Sequence, residues 1–159
     1  VQVHVFKICN VVHMRDPASR RIIAHMYNVA DLKDMHLYPC AYSMTFNVTG
    51  NTLNGILNQR SQDMLAASNW NVVQYSILLM MFARAAGLEA GELVHVVADA
   101  HIYDRHVPIV EKLIEKKQYP APELIVDQNV RDFYAFTKDS FTLKNYQYSE
   151  FTDKIPVAI

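Results

Sequence analysis

The chain has little that could staple it, anchor it or charge it. Its 159 residues include two cysteines, Cys9 and Cys40, too few for a disulfide framework, and the CxxC spacings of a zinc site are absent. Such sparing use of thiols suits a reducing compartment, so a cytoplasmic location is expected. The longest apolar run, "YSILLMMFA", is far short of the ~18 residues of a membrane-spanning helix. No secretory signal is visible. There is no basic run and no acidic tail. A formal net charge of -1 gives no sequence-wide field to recruit nucleic acid or a membrane surface. No internal repeat or low-complexity tract appears.

What is present is core-forming material. Apolar residues make up 51% and charged residues 19% of the chain, the balance of a packed domain and not of a disordered one. The length fits one domain. The chain opens at Val1 without an initiator Met, inside the alternating run "VQVHVF". It reads as beginning partway through a longer protein.

Local patterns give an α+β reading. "DPAS" at 16–19 is a turn, and "RRIIAHMYNV" alternates as a strand. "AYSMTFNV", "TGN" and "TLNGILNQRS" read as strand, turn and strand, with Gly50 at the bend. Ser68 or Asn69 caps a helix that ends at Gly87, a C′ glycine. That helix is apolar nearly all round, so burial is expected. "ELVHVVADAHI" reads as a further strand and "DRHVPIVEKLIEKK" as an amphipathic helix, provided that Pro108 lies in its first turn. "PELIVDQ" and "SFTLKNYQY" are two late strands.

Several polar residues interrupt this pattern. Taken singly, each has a structural reading. Cys40 fills a core, Arg20 and Arg21 are solvated, Asn71 opens a helix and His101 closes a strand. His101 and His106 are five residues apart, which misses the i,i+4 spacing of helical zinc ligands, so no metal is expected. Together they suit one ligand. Guanidinium forks and a hydroxyl from Arg20, Arg21, Arg60 and Ser61 match a phosphate monoester. The amide of Asn71 offers the donor and acceptor that a uracil edge needs, and His101 with Tyr103 suits a ribose hydroxyl. A cysteine near arginine charge is favoured as thiolate, the nucleophilic form.

The chain resembles the thymidylate synthase family along nearly its whole length. The residues that carry the resemblance are "DPASRRII", "YNVADLKDMHLYPC", "FNVTGNTLNGILNQRSQDM", "WNVVQY", "GELVHVVADAHIYDRH" and the terminal "KIPVAI". Most specific is the order Pro-Cys, then Gln-Arg-Ser-x-Asp twenty residues on, then Asn, then Asp-x-His-x-Tyr and a final Pro-Val-Ala-Ile.

The resemblance implies an α+β, thymidylate synthase-like mixed sheet with a central buried helix, paired back to back with a second copy. It implies that residues 1–159 form the catalytic domain without its N-terminal part. Cys40 matches the nucleophile that attacks C6 of dUMP, and 5,10-methylenetetrahydrofolate is the implied co-substrate. Arg60 and Ser61 match the phosphate-binding pair, with Gln62 in the same dUMP-binding stretch. Asp63 lies in that stretch too and matches a residue that holds the folate pterin. Asn71 matches the uracil reader, and His101 and Tyr103 match the ribose contacts. Arg20 and Arg21 match arginines that reach the partner's phosphate site across the dimer, and Ala158 belongs to the C-terminal segment that closes over the folate.

Three positions depart from the family pattern. Ala41 follows the nucleophile where His is usual, Ala67 stands where Gly is usual near the folate, and Ala98 replaces a common Gly before Asp99. The family's N-terminal part, with another phosphate-binding arginine and a glutamate and tryptophan at the folate site, is not among these residues. Two further readings stay open: a dUMP hydroxymethylase of the same superfamily, and a truncated, non-catalytic dimerising module. Asn71 favours uracil over cytosine, because a cytosine reader is expected to carry Asp there.

Overall fold

The computed structural model describes residues 16–157; the "VQVHVF" run, Cys9 and Ala158 lie outside them. A mixed four-stranded sheet organises the described residues. Its strands are β1 (Ile23–His25), β2 (Ala41–Thr49), β3 (Thr52–Gln59) and β5 (Glu89–Val97), in the order β1-β2-β3-β5. The first three are antiparallel and β5 joins β3 in parallel. Parallel neighbours need a long crossover, and the 19-residue helix α1 (Ser68–Ala86) supplies it. The short strands β4 (Gln62–Asp63) and β6 (Ala100–His101) pair in parallel beside the sheet, and β7 (Glu123–Val126) and β8 (Phe141–Lys144) pair antiparallel. Helix α2 (Val107–Ile114) follows β6 after the single 3-10 turn Asp104–His106.

The β2–β3 hairpin closes where the sequence places it. Thr49 pairs with Thr52 across the two-residue loop Gly50-Asn51, and Gly50 has φ 61°. A positive φ at the first central residue matches the twist of the flanking strands and favours glycine.

Alternation then sorts the side chains. Met44, Phe46, Leu53 and Leu57 point to one face and are buried there. Helix α1 covers that face with Tyr75, Leu79, Phe82, Ala83 and Ala86, a stripe at helical spacing. The Phe82 ring meets Phe46 edge-on at 5.2 Å and stacks on Phe133 at 5.0 Å. The opposite face is open. Ile23, Thr45, Ile56 and Val94 form one row across all four strands, and its three apolar members stay 43–51% exposed.

Several expectations need correction. Helix α1 is not buried all round: Trp70, Val72 and Val73 are exposed, because one sheet can cover only the stripe that meets it. Its N-cap is Ala67, which makes no side-chain cap bond, so neither Ser68 nor Asn69 caps it. The first strand shrinks to three residues, and "ELVHVVADAHI" divides into β5 and β6. The helix expected over "DRHVPIVEKLIEKK" starts as a 3-10 turn and ends at Ile114, with Pro108 in its first turn as required. The last strand stops at Lys144, where Asn145 takes φ 58° and breaks the extended run.

Candidate active site

The sheet brings Cys40 and Arg60 together because they end paired strands. Cys40 precedes β2 and Arg60 follows β3, and the Arg60 backbone N–H donates to the Cys40 carbonyl at 2.9 Å. The half-buried guanidinium then turns back over the cysteine. Its Nε donates to the Pro39 carbonyl at 3.1 Å and its Nη2 to the Tyr38 carbonyl at 2.8 Å. Nη2 also lies 3.8 Å from Cys40 Sγ. Two of its nitrogens are fixed by main-chain carbonyls, so the cation is held in place. Any negative charge that develops on Sγ faces it. The Nη1 donors have no partner among the described residues and can take an anion oxygen.

The stretch after Arg60 links this corner to the next two. Gln62 N–H donates to the Asp99 carbonyl and Met64 N–H to the His101 carbonyl, so β4 lies along β6 with Asp63 opposite His101. His101 Nδ1 is 3.3 Å from Asp99 Oδ2, and the Tyr103 ring stands edge-on to His101 at 5.0 Å. Asp63 serves the backbone as well. Its Oδ1 accepts from Leu65 N–H at 3.0 Å and Ala66 N–H at 3.1 Å, closing the turn that leads into α1. Ala67 N–H then donates to the Asp63 carbonyl and Asn71 N–H to the Ala67 carbonyl, which sets Asn71 in the first turn of α1 with its amide half-exposed.

Beneath the Arg60–Asp63 stretch, Gln59 is 2% exposed. Its Nε2 donates to the Ser61 carbonyl at 2.8 Å, and its Oε1 takes the Nε2–H of His95 at 2.9 Å. Burial lowers the His95 pKa, which agrees with a neutral ring there. Gln62 is equally buried, and neither of its amide atoms has a hydrogen-bond partner among the described residues.

The expected site residues therefore fall into two groups. Main-chain bonds and strand pairing tie Cys40, Arg60, Ser61, Gln62, Asp63, Asn71, His101 and Tyr103 into one connected stretch of structure. Arg20 and Arg21 are exposed and stand elsewhere: Arg20 lines a shallow pocket together with Thr45, Asn47 and Ile56 on the open face of the sheet. Thr45 is five strand residues beyond Cys40, about 16 Å at the rise of a β-strand. The departures also find places. Ala41 is buried opposite Gln59, and Ala67 has φ -119°, which any residue adopts. Among the described residues, no group of three or more His, Cys, Asp or Glu is placed to hold a metal ion. No helix of these residues is long and apolar enough to cross a membrane.

From sequence, His106 is considered only as a metal partner for His101. In the structure it is 1% exposed, with Nδ1 3.8 Å from Asp63 Oδ2. A signal was available: His106, at the N-cap of α2, precedes the buried Ile109 by three residues and so falls on the same side.

Comparison with known proteins accounts for this arrangement. The family model for thymidylate synthase matches residues 4–159. The chain belongs to the thymidylate synthase family. The thymidylate synthase of Bacillus phage phi3T is 38% identical over 135 residues, which is 85% of this chain and 48% of that protein. That of Bacillus atrophaeus is also 38% identical over 135 residues, covering 60% of its length. The thermostable thymidylate synthase A from Bacillus subtilis superposes with a TM-score of 0.89 at 34% identity, over 95% of this chain and 54% of that one. The chain thus spans about half the length of these relatives, and its mixed sheet with a covering helix is the family's fold.

Proposed function

We propose that this chain forms the nucleotide-binding and nucleophile-bearing portion of an enzyme that converts dUMP to dTMP. The observation that carries the reading is the fixed Arg60 guanidinium 3.8 Å from Cys40 Sγ, beside Ser61 and within one connected stretch with Asn71 and His101. Arg60 Nη1 and the Ser61 hydroxyl take the phosphate. Asn71 reads the uracil edge, and His101 with Tyr103 takes the ribose hydroxyl. Cys40 Sγ adds to C6 of the ring, which makes C5 nucleophilic; the same bond breaks later to restore the ring.

5,10-Methylenetetrahydrofolate, when bound, supplies the one-carbon unit for C5 and the hydride that reduces it to a methyl group, and leaves as dihydrofolate. The residues present fit one edge of it. Asp63 spends Oδ1 on two backbone amides and keeps Oδ2 as an acceptor for a pterin N–H. Ala158 is assigned to the same folate-facing segment. No resident metal takes part, and the location is cytoplasmic.

The working unit is a homodimer. The half-exposed row Ile23, Ile56 and Val94 offers a face for a second copy, and Arg20, which lines a pocket with Ile56, crosses with Arg21 to the partner's phosphate site in this reading. Nucleic acid and membrane are not partners.

The test is a product assay on the chain joined to the N-terminal half of the Bacillus phage phi3T relative. dTMP with an equal amount of dihydrofolate supports the reading. Hydroxymethyl-dUMP without dihydrofolate transfers the assignment to the hydroxymethylase alternative, in which water adds where hydride would. Failure to bind dUMP removes both.

A further inference from the structure

The last described residues run antiparallel along the segment that contains α2. Ser149 Oγ donates to the Lys117 carbonyl and Lys116 Nζ to the Glu150 carbonyl. Lys112 pairs with Asp153 at 2.7 Å, and Arg105 Nη1 donates to the Val157 carbonyl at 2.8 Å. All four bonds are solvent-exposed, so each contributes little to holding the segment.

One bond differs. His106 Nε2 lies 2.8 Å from the Pro156 carbonyl, and this imidazole is 1% exposed. A carbonyl can only accept, so Nε2 carries the proton. Pro156 has no N–H of its own, so a side chain must reach its carbonyl if this point is to be held. The other ring nitrogen, Nδ1, has no hydrogen-bond partner and faces Asp63 Oδ2 at 3.8 Å. The Tyr103 ring packs edge-on against the imidazole, with centroids 5.5 Å apart.

We infer that His106 is a positioning residue: it anchors the C-terminal segment through the Pro156 carbonyl and, by its ring contact, registers that segment against Tyr103. The peripheral bonds can open and close in solvent, and the buried imidazole sets where the segment returns. Its consequence for folate rests on the proposed role of the segment that contains Ala158; the anchoring itself does not. Gln places an amide nitrogen near the position of Nε2, and Asn places one near Nδ1.

The experiment uses the chain joined to the N-terminal half of the Bacillus phage phi3T relative, with His106→Gln and His106→Asn. Nitrogen NMR of the wild-type ring reads the tautomer, and carboxypeptidase digestion reads release of Ile159. The expected results are an Nε2–H ring, release about tenfold faster in His106→Asn, and near wild-type release in His106→Gln, which retains the donor. dUMP affinity stays within about twofold in both, while reduced-folate affinity in the dUMP complex falls about tenfold in His106→Asn alone. An Nδ1–H ring, or equal release rates in all three proteins, overturns the anchor. Equal loss of melting temperature and of dUMP affinity in both variants overturns it too, since that marks a core histidine without a positioning role. If wild type binds neither ligand, the proposed function falls while the release rates still decide the anchor.

Discussion

Arg60 holds its guanidinium 3.8 Å from Cys40 Sγ by donating to the carbonyls of Tyr38 and Pro39, the two residues that precede the cysteine. One side chain thus fixes both the backbone of the Pro-Cys turn and the charge that faces its sulfur. Lysine cannot do both, because its single ammonium lacks the fork that reaches two carbonyls while facing the thiol. Arg60→Lys is expected to slow modification of Cys40 by 5-fluoro-dUMP by about a hundredfold and to lower stability by about 1.5–3 kcal/mol, the worth of a charged hydrogen bond. Adduct formation followed by mass spectrometry, with denaturant melts alongside, checks both.

Asn71 sits in the first turn of α1 with its amide half-exposed and without a partner among the described residues. An amide complements uracil, and a carboxyl complements cytosine when protonated. Asn71→Asp is expected to shift the ratio of dUMP to dCMP affinity by at least about tenfold toward dCMP, the value of one exchanged hydrogen-bond pair. Calorimetric titration with each nucleotide reads the ratio. An unchanged ratio assigns the uracil edge to another group.

The placement of Arg20 on the open face predicts complementation between chains. A chain with Arg20→Ala and Arg21→Ala is mixed with a Cys40→Ala chain. Only the first chain has the Cys40 thiol, and in the mixed dimer its site receives arginines from the second. The expected outcome is a 5-fluoro-dUMP adduct on the Arg20→Ala, Arg21→Ala chain in mixed dimers and not in that chain alone. Adduct of equal yield in both samples means that the arginines do not cross.

His95 gives a pH dependence of stability. Burial lowers its folded-state pKa below the value of about 6.5 that it regains on unfolding. The unfolded chain therefore binds the proton more readily, and stability falls as pH drops through about 6.5 toward the lower folded value. His95→Gln leaves no titrating group there. Melts across this range are expected to show a shallower decline in the variant than in wild type. Parallel curves would place the acid sensitivity elsewhere.

The β2–β3 hairpin, the span of α1 and its C′ residue Gly87 were legible in the sequence, because alternation, helical spacing and positive-φ glycines are local signals. The short elements were not. "ELVHVVADAHI" carries no local mark of the break at Ala98-Asp99; β6 exists because Gln62 and Met64 bond across to Asp99 and His101. The capping expectation at Ser68 failed because the helix begins one residue earlier: Ala67 is the N-cap and Ser68 is already inside the first turn. At the site, the residue types were legible singly. The sequence could not show that Arg60 is pinned by carbonyls on both sides of Pro39, that the Gln62 side chain is buried, or that His106 faces Asp63. Each of these depends on segments brought together by strand pairing.

The whole account turns on Cys40 as the atom that bonds to the nucleotide. The direct measurement is peptide mass mapping of the chain, joined to the N-terminal half of the phage phi3T relative, after incubation with 5-fluoro-dUMP and methylenetetrahydrofolate. The account predicts one adduct, on the peptide that contains Pro39 and Cys40, absent in Cys40→Ser. An adduct on any other residue, or full-yield adduct in Cys40→Ser, contradicts it.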